Sequence, residues 1–242
     1  MEIVILAGGL GTRLRSSIGE AIPKCMAPIG GKPFLWYLLT YLKRFPISKV
    51  VLSVGHLRDV IIEWIDKNRD EFPFSFDFSI EKEPMGTGGG IKLALDKCKG
   101  ANVIVLNGDT FFDIDLNSLL ESHKLYPSTV SLALKPMNNF DRYGRVLVNI
   151  VEHRIHEFCE KQPCKTGFIN GGVYCINRIN IQWPEESKFS FEKDVLERTV
   201  SNGMIFGFEF NDYFIDIGIP EDFEKANVDL KTLFNENAKS SS

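Results

Sequence analysis

The sequence predicts an α/β fold: a doubly wound, mostly parallel mixed sheet with helices on both faces. Two observations predict it. Short β-branched runs alternate with helix-length amphipathic stretches through the first half of the chain, the pattern of successive βαβ units. Three of those strand-like runs also end in glycine-rich or carboxylate-bearing sequences, at the edge where open α/β sheets bind ligands.

In order, "IVILAG" (3–8) reads as a buried strand and "FLWYLLTYLKRF" (34–45) as a core helix with Leu35, Leu38, Leu42 and Phe45 on one face. "KVVLSVG" (49–55) is a strand, "DVIIEWIDKN" (59–68) a helix, "SFDFSIEKE" (75–83) a strand and "GGIKLALDKC" (89–98) a helix. "NVIVLNGD" (102–109), "LNSLLESHKL" (116–125) and "TVSLALK" (129–135) continue as strand, helix, strand. The second half is richer in β: a hairpin over 144–161, a strand over 171–178, a helix over 190–202, strands over 204–210 and 213–218, and a helix from about Pro220. No linker divides the chain, and "NENAKSSS" (235–242) reads as a polar, frayed end.

Composition narrows the function classes. A formal charge of −4 across 242 residues argues against a general nucleic-acid binder. The five cysteines are odd in number and form no C-x-x-C pair, which fits reduced thiols in a cytoplasmic protein. No run is long enough for a spanning helix, and the first residues lack the basic region of a signal peptide.

The chemistry is expected at the three strand ends. The first runs into "AGGLGTR" with Gly8, Gly9 and Gly11. A dinucleotide fingerprint would need a third glycine where Leu14 stands, and no Walker sequence is present. What remains is an anion-binding nest of backbone N–H groups, with Arg13 as a fork of donors and Lys24 following on a segment stiffened by Pro23. A plain tight turn is the bland alternative. In "EKEPMGTGGG" (81–90), Gly86, Gly88, Gly89 and Gly90 permit close approach of a ligand, and Glu83 offers a carboxylate to the N1 and N2 edge of guanine. The alternative is a surface glutamate beside a flexible helix start. Asp109 in "LNGD" and Asp216 in "FIDIGIP" follow apolar runs, where a carboxylate needs a partner or a cation. Either alone also reads as a cap. Asp113 and Asp115 read as turn and cap residues, His153 and His156 as facing opposite sides of a hairpin, and Cys159 and Cys164 as packing residues.

Together "LAGGLGTRLR…PK", "EPMGTG", "NGD", "EK" (160–161), "NGG" (170–172) and "IDIGIP" occur in an order, along nearly the whole chain, that resembles the sugar-1-phosphate nucleotidyltransferases. Within that family, "GTRLRS", "PKCMAPIGGKPFL", "NGGVY", "FSFEKD" and "YFIDIGIPEDFEKA" are most similar to the D-glycero-α-D-manno-heptose 1-phosphate guanylyltransferases. The resemblance implies a Rossmann-like core with a small β-rich sugar-binding part, the nucleotide-diphospho-sugar transferase fold. It implies one domain over 1–235, its nucleotide part about 1–135 and its sugar-phosphate part about 136–235; the polar residues 236–242 read as a disordered tail. No C-terminal β-helix or allosteric extension is expected.

The reaction implied is Mg²⁺-assisted transfer of GMP from GTP, or of another nucleotide from its NTP, to a sugar 1-phosphate. Pyrophosphate would leave, and the product would feed a bacterial surface polysaccharide. Carried over by position, Leu6, Ala7, Gly8, Gly9, Gly11, Thr12 and Arg13 would cradle the nucleotide; Arg13 on its outer phosphates and Lys24 polarising its α-phosphate would be the catalytic pair. Glu83, Gly86, Thr87, Gly88, Asn107 and Gly108 would complete the nucleotide site. Tyr143, Gly144, Glu160, Lys161, Asn170 and Gly171 would take the sugar phosphate, with Lys161 on its phosphate. Asp109 and Asp216 would hold Mg²⁺. One departure is Cys25, where a second proline commonly follows the lysine. Membrane and nucleic-acid partners are not expected, and a homodimer is compatible with a sequence that does not fix the oligomeric state.

The chemistry agrees with that implication. A phosphate monoester is largely dianionic near pH 7, its second pKa being about 6, so the nucleophile needs no general base. Positioning and cations then supply most of the catalysis. A hexose 1-phosphate nucleotidyltransferase forming GDP-mannose or a UDP-sugar, a catalytically silent nucleotide-sugar sensor and an NAD-dependent dehydrogenase are the alternatives.

Overall fold

The structure is a computed structural model that describes residues 1–9 and 14–240. Gly11, Thr12 and Arg13, three of the expected nucleotide ligands, therefore lie outside the described residues.

In chain order the elements are β1 (Glu2–Leu6), α1 (Arg15–Ile18), β2 (Pro28–Ile29), β3 (Lys32–Pro33), α2 (Phe34–Leu42), β4 (Lys49–Val54), α3 (Arg58–Asn68) and β5 (Ser75–Ile80). Then come α4 (Gly86–Leu95), β6 (Asn102–Asn107), β7 (Thr110–Phe112), α5 (Leu116–Leu125), β8 (Val130–Phe140), β9 (Gly144–Val148), β10 (Ile155–Lys161) and β11 (Cys164–Asn177). A π-helix over Phe191–Glu197 precedes β12 (Ile205–Glu209), β13 (Phe214–Asp216) and α6 (Pro220–Ser240).

One nine-stranded sheet organises the chain. Strands β5, β4, β1 and β6 run parallel. Their centres (Ile3–Ile5, Val50–Leu52, Val103–Val105) are fully buried, as expected of parallel strands covered by helices on both faces. β11 pairs antiparallel with β6 through Val173–Asn177. β8 pairs antiparallel with β11, and β12 parallel with β8, so β11 and the outer hairpin strand β10 are the reversed members of a mostly parallel sheet. The hairpin of β9 and β10 is added on the N-terminal half of β11.

Helix α2 buries Phe34, Leu35, Leu38 and Leu42 as core. It stops at Leu42, short of the Phe45 expected from the sequence. Asp115 caps α5 by accepting the Asn117 N–H at 3.0 Å, and Asp113 pairs with Arg44.

Other elements also differ from expectation. α4 begins at Gly86, before the apolar run that signals it. The strand expected at 171–178 is the far end of a 14-residue strand, whose first half opens with the exposed Lys165 and Thr166 and so carries no strand signal there. The helix expected over 190–202 is a π-helix followed by a 3₁₀ turn, ended by Gly203 at φ +67°. α6 continues to Ser240 through the stretch expected to fray, whose Glu236, Ala238 and Lys239 are helix formers uninterrupted by glycine or proline. Residue 135, the expected seam between nucleotide and sugar parts, falls inside β8, so the sheet crosses it unbroken. Among the described residues no helix is long and apolar enough to cross a membrane.

Candidate active site

The site forms where β1 and β6 end side by side. The Gly108 N–H donates to the Leu6 carbonyl at 3.0 Å, and a Cβ on Gly108 would stand 2.4 Å from that oxygen. Only glycine lets the strand ends close this far. The chain then turns into β7, which pairs with β13 so that Thr110 faces Asp216. The Ile217 N–H donates to the Asp109 carbonyl at 3.0 Å. Two carboxylates 107 positions apart in sequence are thereby placed on one spot.

Lys24 completes the cluster. Pro23 leads into one 3₁₀ turn over Lys24–Met26, and this turn sends the ammonium between the carboxylates, 2.5 Å from Asp109 Oδ2 and 3.5 Å from Asp216 Oδ1. Gly218 leaves room for the group: a Cβ there would stand 2.9 Å from Asp216 Oδ1 and 3.3 Å from Lys24 Nζ. Burial, and then the neighbouring Asp109 carboxylate, push the Asp216 carboxyl above its ordinary range, against the pull of Lys24. Asp216 Oδ1 is buried and accepts no hydrogen bond among the described residues. Burial, and then Asp109, push the adjacent Cys25 thiol up to about 12, which keeps it protonated and packed.

A cleft of about 160 Å³ opens on this cluster, lined by Leu6, Ala7, Gly9, Lys24, Thr87, Asn107, Gly108 and Asp109. A Cβ on Gly9 would meet no described atom within 4 Å, so this face of the loop is open. Beyond Gly8 a second hollow of about 260 Å³ is lined by Gly8, Gly55, Glu81 and Glu83. Gly86, Gly88 and Gly89 face the chain rather than an open cleft: a Cβ at each would stand 2.4–2.5 Å from Phe189 or Ser187. Their lack of side chains admits the 187–191 segment.

A third hollow, of about 300 Å³, gathers Gly144, Glu160, Lys161 and Asn170. The Asn170 amide is already engaged, accepting the Gly172 N–H at 3.0 Å and donating to the Tyr174 hydroxyl at 2.9 Å. Gly171 packs on Phe112, where a Cβ would stand 2.5 Å from the ring. Tyr143 lies elsewhere, in a hollow shared with Asp216 and Asp222, where its hydroxyl accepts from Arg142 at 3.0 Å and burial pushes it up to about 12. Cys159 and Cys164, expected to pack, are half-exposed, and Cys159 lines the third hollow.

Several residues of the site are not singled out by the sequence. Glu81 accepts the Met85 N–H at 3.1 Å and the Ser53 hydroxyl at 3.3 Å, and its carboxylate lies 2.8 Å from where a Gly8 Cβ would be. It ties together the ends of β1, β4 and β5, and the available signal is the paired acid of "EKE". Tyr174, fully buried, joins Asn170 to the core. Arg145, Glu192 and Lys193 enter the third hollow. The last two lie in "FSFEKD", a stretch that carries likeness but no assigned role.

Known proteins share this sequence and shape. Residues 2–232 match the family described as Nucleotidyl transferase. The D-glycero-alpha-D-manno-heptose 1-phosphate guanylyltransferase of Aneurinibacillus thermoaerophilus is 44% identical over 232 residues, covering 96% of this chain and 99% of its own. The protein of the same name from Campylobacter jejuni is 48% identical over 225 residues, covering 92% and 97%. The crystal structure of HddC from Yersinia pseudotuberculosis complexed with GMP-PN superposes with a TM-score of 0.82 at 38% identity, covering 93% of this chain and 97% of that one. These matches span both the glycine-loop half and the groove half of the sheet, and on them the chain belongs to the nucleotidyl transferase family.

Proposed function

We propose that the protein transfers GMP from GTP to D-glycero-α-D-manno-heptose 1-phosphate, releasing pyrophosphate, in the cytoplasm and for a surface polysaccharide. The observation that carries the reading is the Lys24–Asp109–Asp216 cluster at the end of the glycine loop, with a separate groove holding Glu160 and Lys161. The guanylyltransferase names of the relatives, and the GMP-PN in the HddC complex, support GTP as donor and the heptose phosphate as acceptor.

In this reading an acceptor phosphate oxygen attacks the α-phosphorus of GTP in line, and pyrophosphate leaves from the opposite side. The nucleophile is already ionised, so no residue removes a proton. Gly8 and Gly9 hold the triphosphate with backbone N–H groups, together with Gly11, Thr12 and Arg13. Lys24 meets the charge that develops on the α-phosphoryl oxygens. Lys161 takes the acceptor phosphate, and Glu160 and Asn170 border its hydroxyls. Glu83 accepts from the guanine edge in the hollow beyond Gly8. A homodimer is the assembly proposed.

Asp109 and Asp216 fit Mg²⁺, because Asp216 Oδ1 is buried and accepts no hydrogen bond among the described residues, and a second carboxylate shares its lysine. Two carboxylates with substrate phosphates and water form a usual Mg²⁺ set. When bound, the ion supplies charge neutralisation at the phosphates.

A screen of nucleoside triphosphates against sugar 1-phosphates, read by pyrophosphate release, tests the proposal. GTP with the heptose phosphate should give the highest kcat/KM. Preference for UTP removes the guanine role of Glu83, and preference for a hexose 1-phosphate moves the protein to the alternative within the family.

A further inference from the structure

The first turn of α4, on the nucleotide side, is built against the segment that enters the acceptor groove. The Gly88 N–H donates to the Phe189 carbonyl at 3.1 Å, and the Phe189 N–H donates to the Met85 carbonyl at 3.0 Å. At their centre is Thr87. Its hydroxyl accepts the Phe191 N–H at 2.9 Å and donates to Glu192 Oε2 at 2.7 Å. Ser190 Oγ donates to the same oxygen at 3.0 Å, so two hydroxyls fix this carboxylate.

Both ends of this chain of bonds open on a hollow. Thr87 lines the cleft with Lys24 and Asp109, while Glu192 and Lys193 line the groove with Glu160 and Lys161. The segment between is the π-helix Phe191–Glu197, a conformation that occurs frequently at functional sites. A hydrogen bond to an ionised carboxylate is roughly twice as strong as a neutral one, and this one crosses between the two halves of the site.

We propose that Thr87 is a positioning residue that holds Glu192 in the acceptor groove, so that the first turn of α4 sets acceptor affinity. The hydroxyl serves the acceptor side, although the residue borders the nucleotide cleft. The inference rests on the assignment of the two hollows to nucleotide and acceptor under the function proposed above.

Thr87→Val removes the hydroxyl and keeps the shape, and Thr87→Ser keeps the hydroxyl. Steady-state kinetics of the full chain, with GTP and the sugar 1-phosphate varied in turn, separates the two KM values. The Val variant should raise the acceptor KM by about tenfold, the effect of about one hydrogen bond to a charged group. The KM for GTP should stay within about twofold and the Ser variant should restore the wild-type value, since Ser keeps the hydroxyl that donates to Glu192 and accepts from Phe191, and Val lacks it. A rise in the GTP KM with the acceptor KM unchanged, or no change in either, overturns the proposal. Amide hydrogen exchange of residues 189–197 gives a second measurement that needs no acceptor: Thr87→Val, and Thr87→Ala as a second variant, should speed exchange there, and unchanged exchange overturns the latch. If wild-type protein shows exchange behaviour as expected but no turnover with any sugar 1-phosphate, the functional reading fails while the latch stands.

Discussion

Lys24 and Asp109, 85 residues apart in sequence, meet with Nζ 2.5 Å from Oδ2. The same ammonium stands 3.5 Å from Asp216 Oδ1. Among the described residues one cation thus faces two carboxylates, which leaves an excess of negative charge at the mouth of a cleft proposed to take a polyanion. That imbalance calls for a further cation when phosphates arrive, which is why the metal and the lysine belong to one argument.

Lys24→Ala tests the lysine. The ammonium is the closest described cation to both carboxylates, and its side chain is 13% exposed, so water replaces it poorly. Loss of a donor aimed at developing charge costs about 10²-fold or more in turnover. We expect kcat for pyrophosphate release to fall by at least that factor in folded protein. Near-wild-type turnover would end the catalytic assignment.

Asp216→Asn tests the metal pair. The change keeps the shape of the side chain and removes the charge, and Asp216 Oδ1 has no other described hydrogen-bonding partner to lose. The Mg²⁺ titration of activity should move to higher concentration by at least about tenfold, since even groups outside the ligand shell alter metal affinity by about 10–100-fold. A superimposable titration curve would show that Asp216 is not a ligand.

The strands and their ligand-binding edge are legible in the sequence because apolar periodicity and glycine endings are local signals. Asp109 and Asp216 are legible for the opposite reason, as carboxylates out of place after apolar runs. What stays hidden depends on pairing between distant segments. Nothing in "MGTGGG" shows that its glycines face Phe189 and Ser187, because that contact depends on a segment about a hundred positions away. Glu81 does not stand out beside Glu83, since two acids in "EKE" look alike until the bend that follows β5 leaves Glu81 bonded to Met85 and Ser53. Tyr143 and Gly144 are adjacent in sequence yet line different hollows, because Tyr143 ends the bend that precedes β9 and Gly144 opens the strand.

Two glycines near the site should separate structure from binding. A Cβ on Gly108 would stand 2.4 Å from the Leu6 carbonyl oxygen, a backbone atom that cannot swing away. Gly108→Ala should therefore lower stability by about 1–3 kcal/mol and reduce activity with it. Gly9 meets nothing described within 4 Å. Gly9→Ala should melt close to wild type, yet raise the KM for GTP if the loop cradles phosphates. Equal melting temperatures for wild type and Gly108→Ala would contradict the strand-end geometry, and an unchanged KM for GTP in Gly9→Ala would remove Gly9 from the cradle.

Away from the site, His123 makes stability depend on pH. It is buried on α5, with Nδ1 sharing a 2.8 Å hydrogen bond with Ser131 Oγ and Nε2 without a described partner. Burial, and then the neighbouring Lys124 charge, pull its pKa from 6.5 down to about 4. The unfolded chain therefore takes up a proton first as pH falls. This contribution to stability is present above about pH 6.5 and is lost progressively toward pH 4, up to on the order of 3 kcal/mol. His123→Phe removes the titration, together with the Ser131 hydrogen bond, whose loss acts at every pH. The stability advantage of wild type over the variant, measured by urea unfolding, should shrink between pH 7.5 and pH 5. A constant advantage across that range would mean that His123 titrates alike in the folded and unfolded chains, and that the acid sensitivity of the protein arises from other groups.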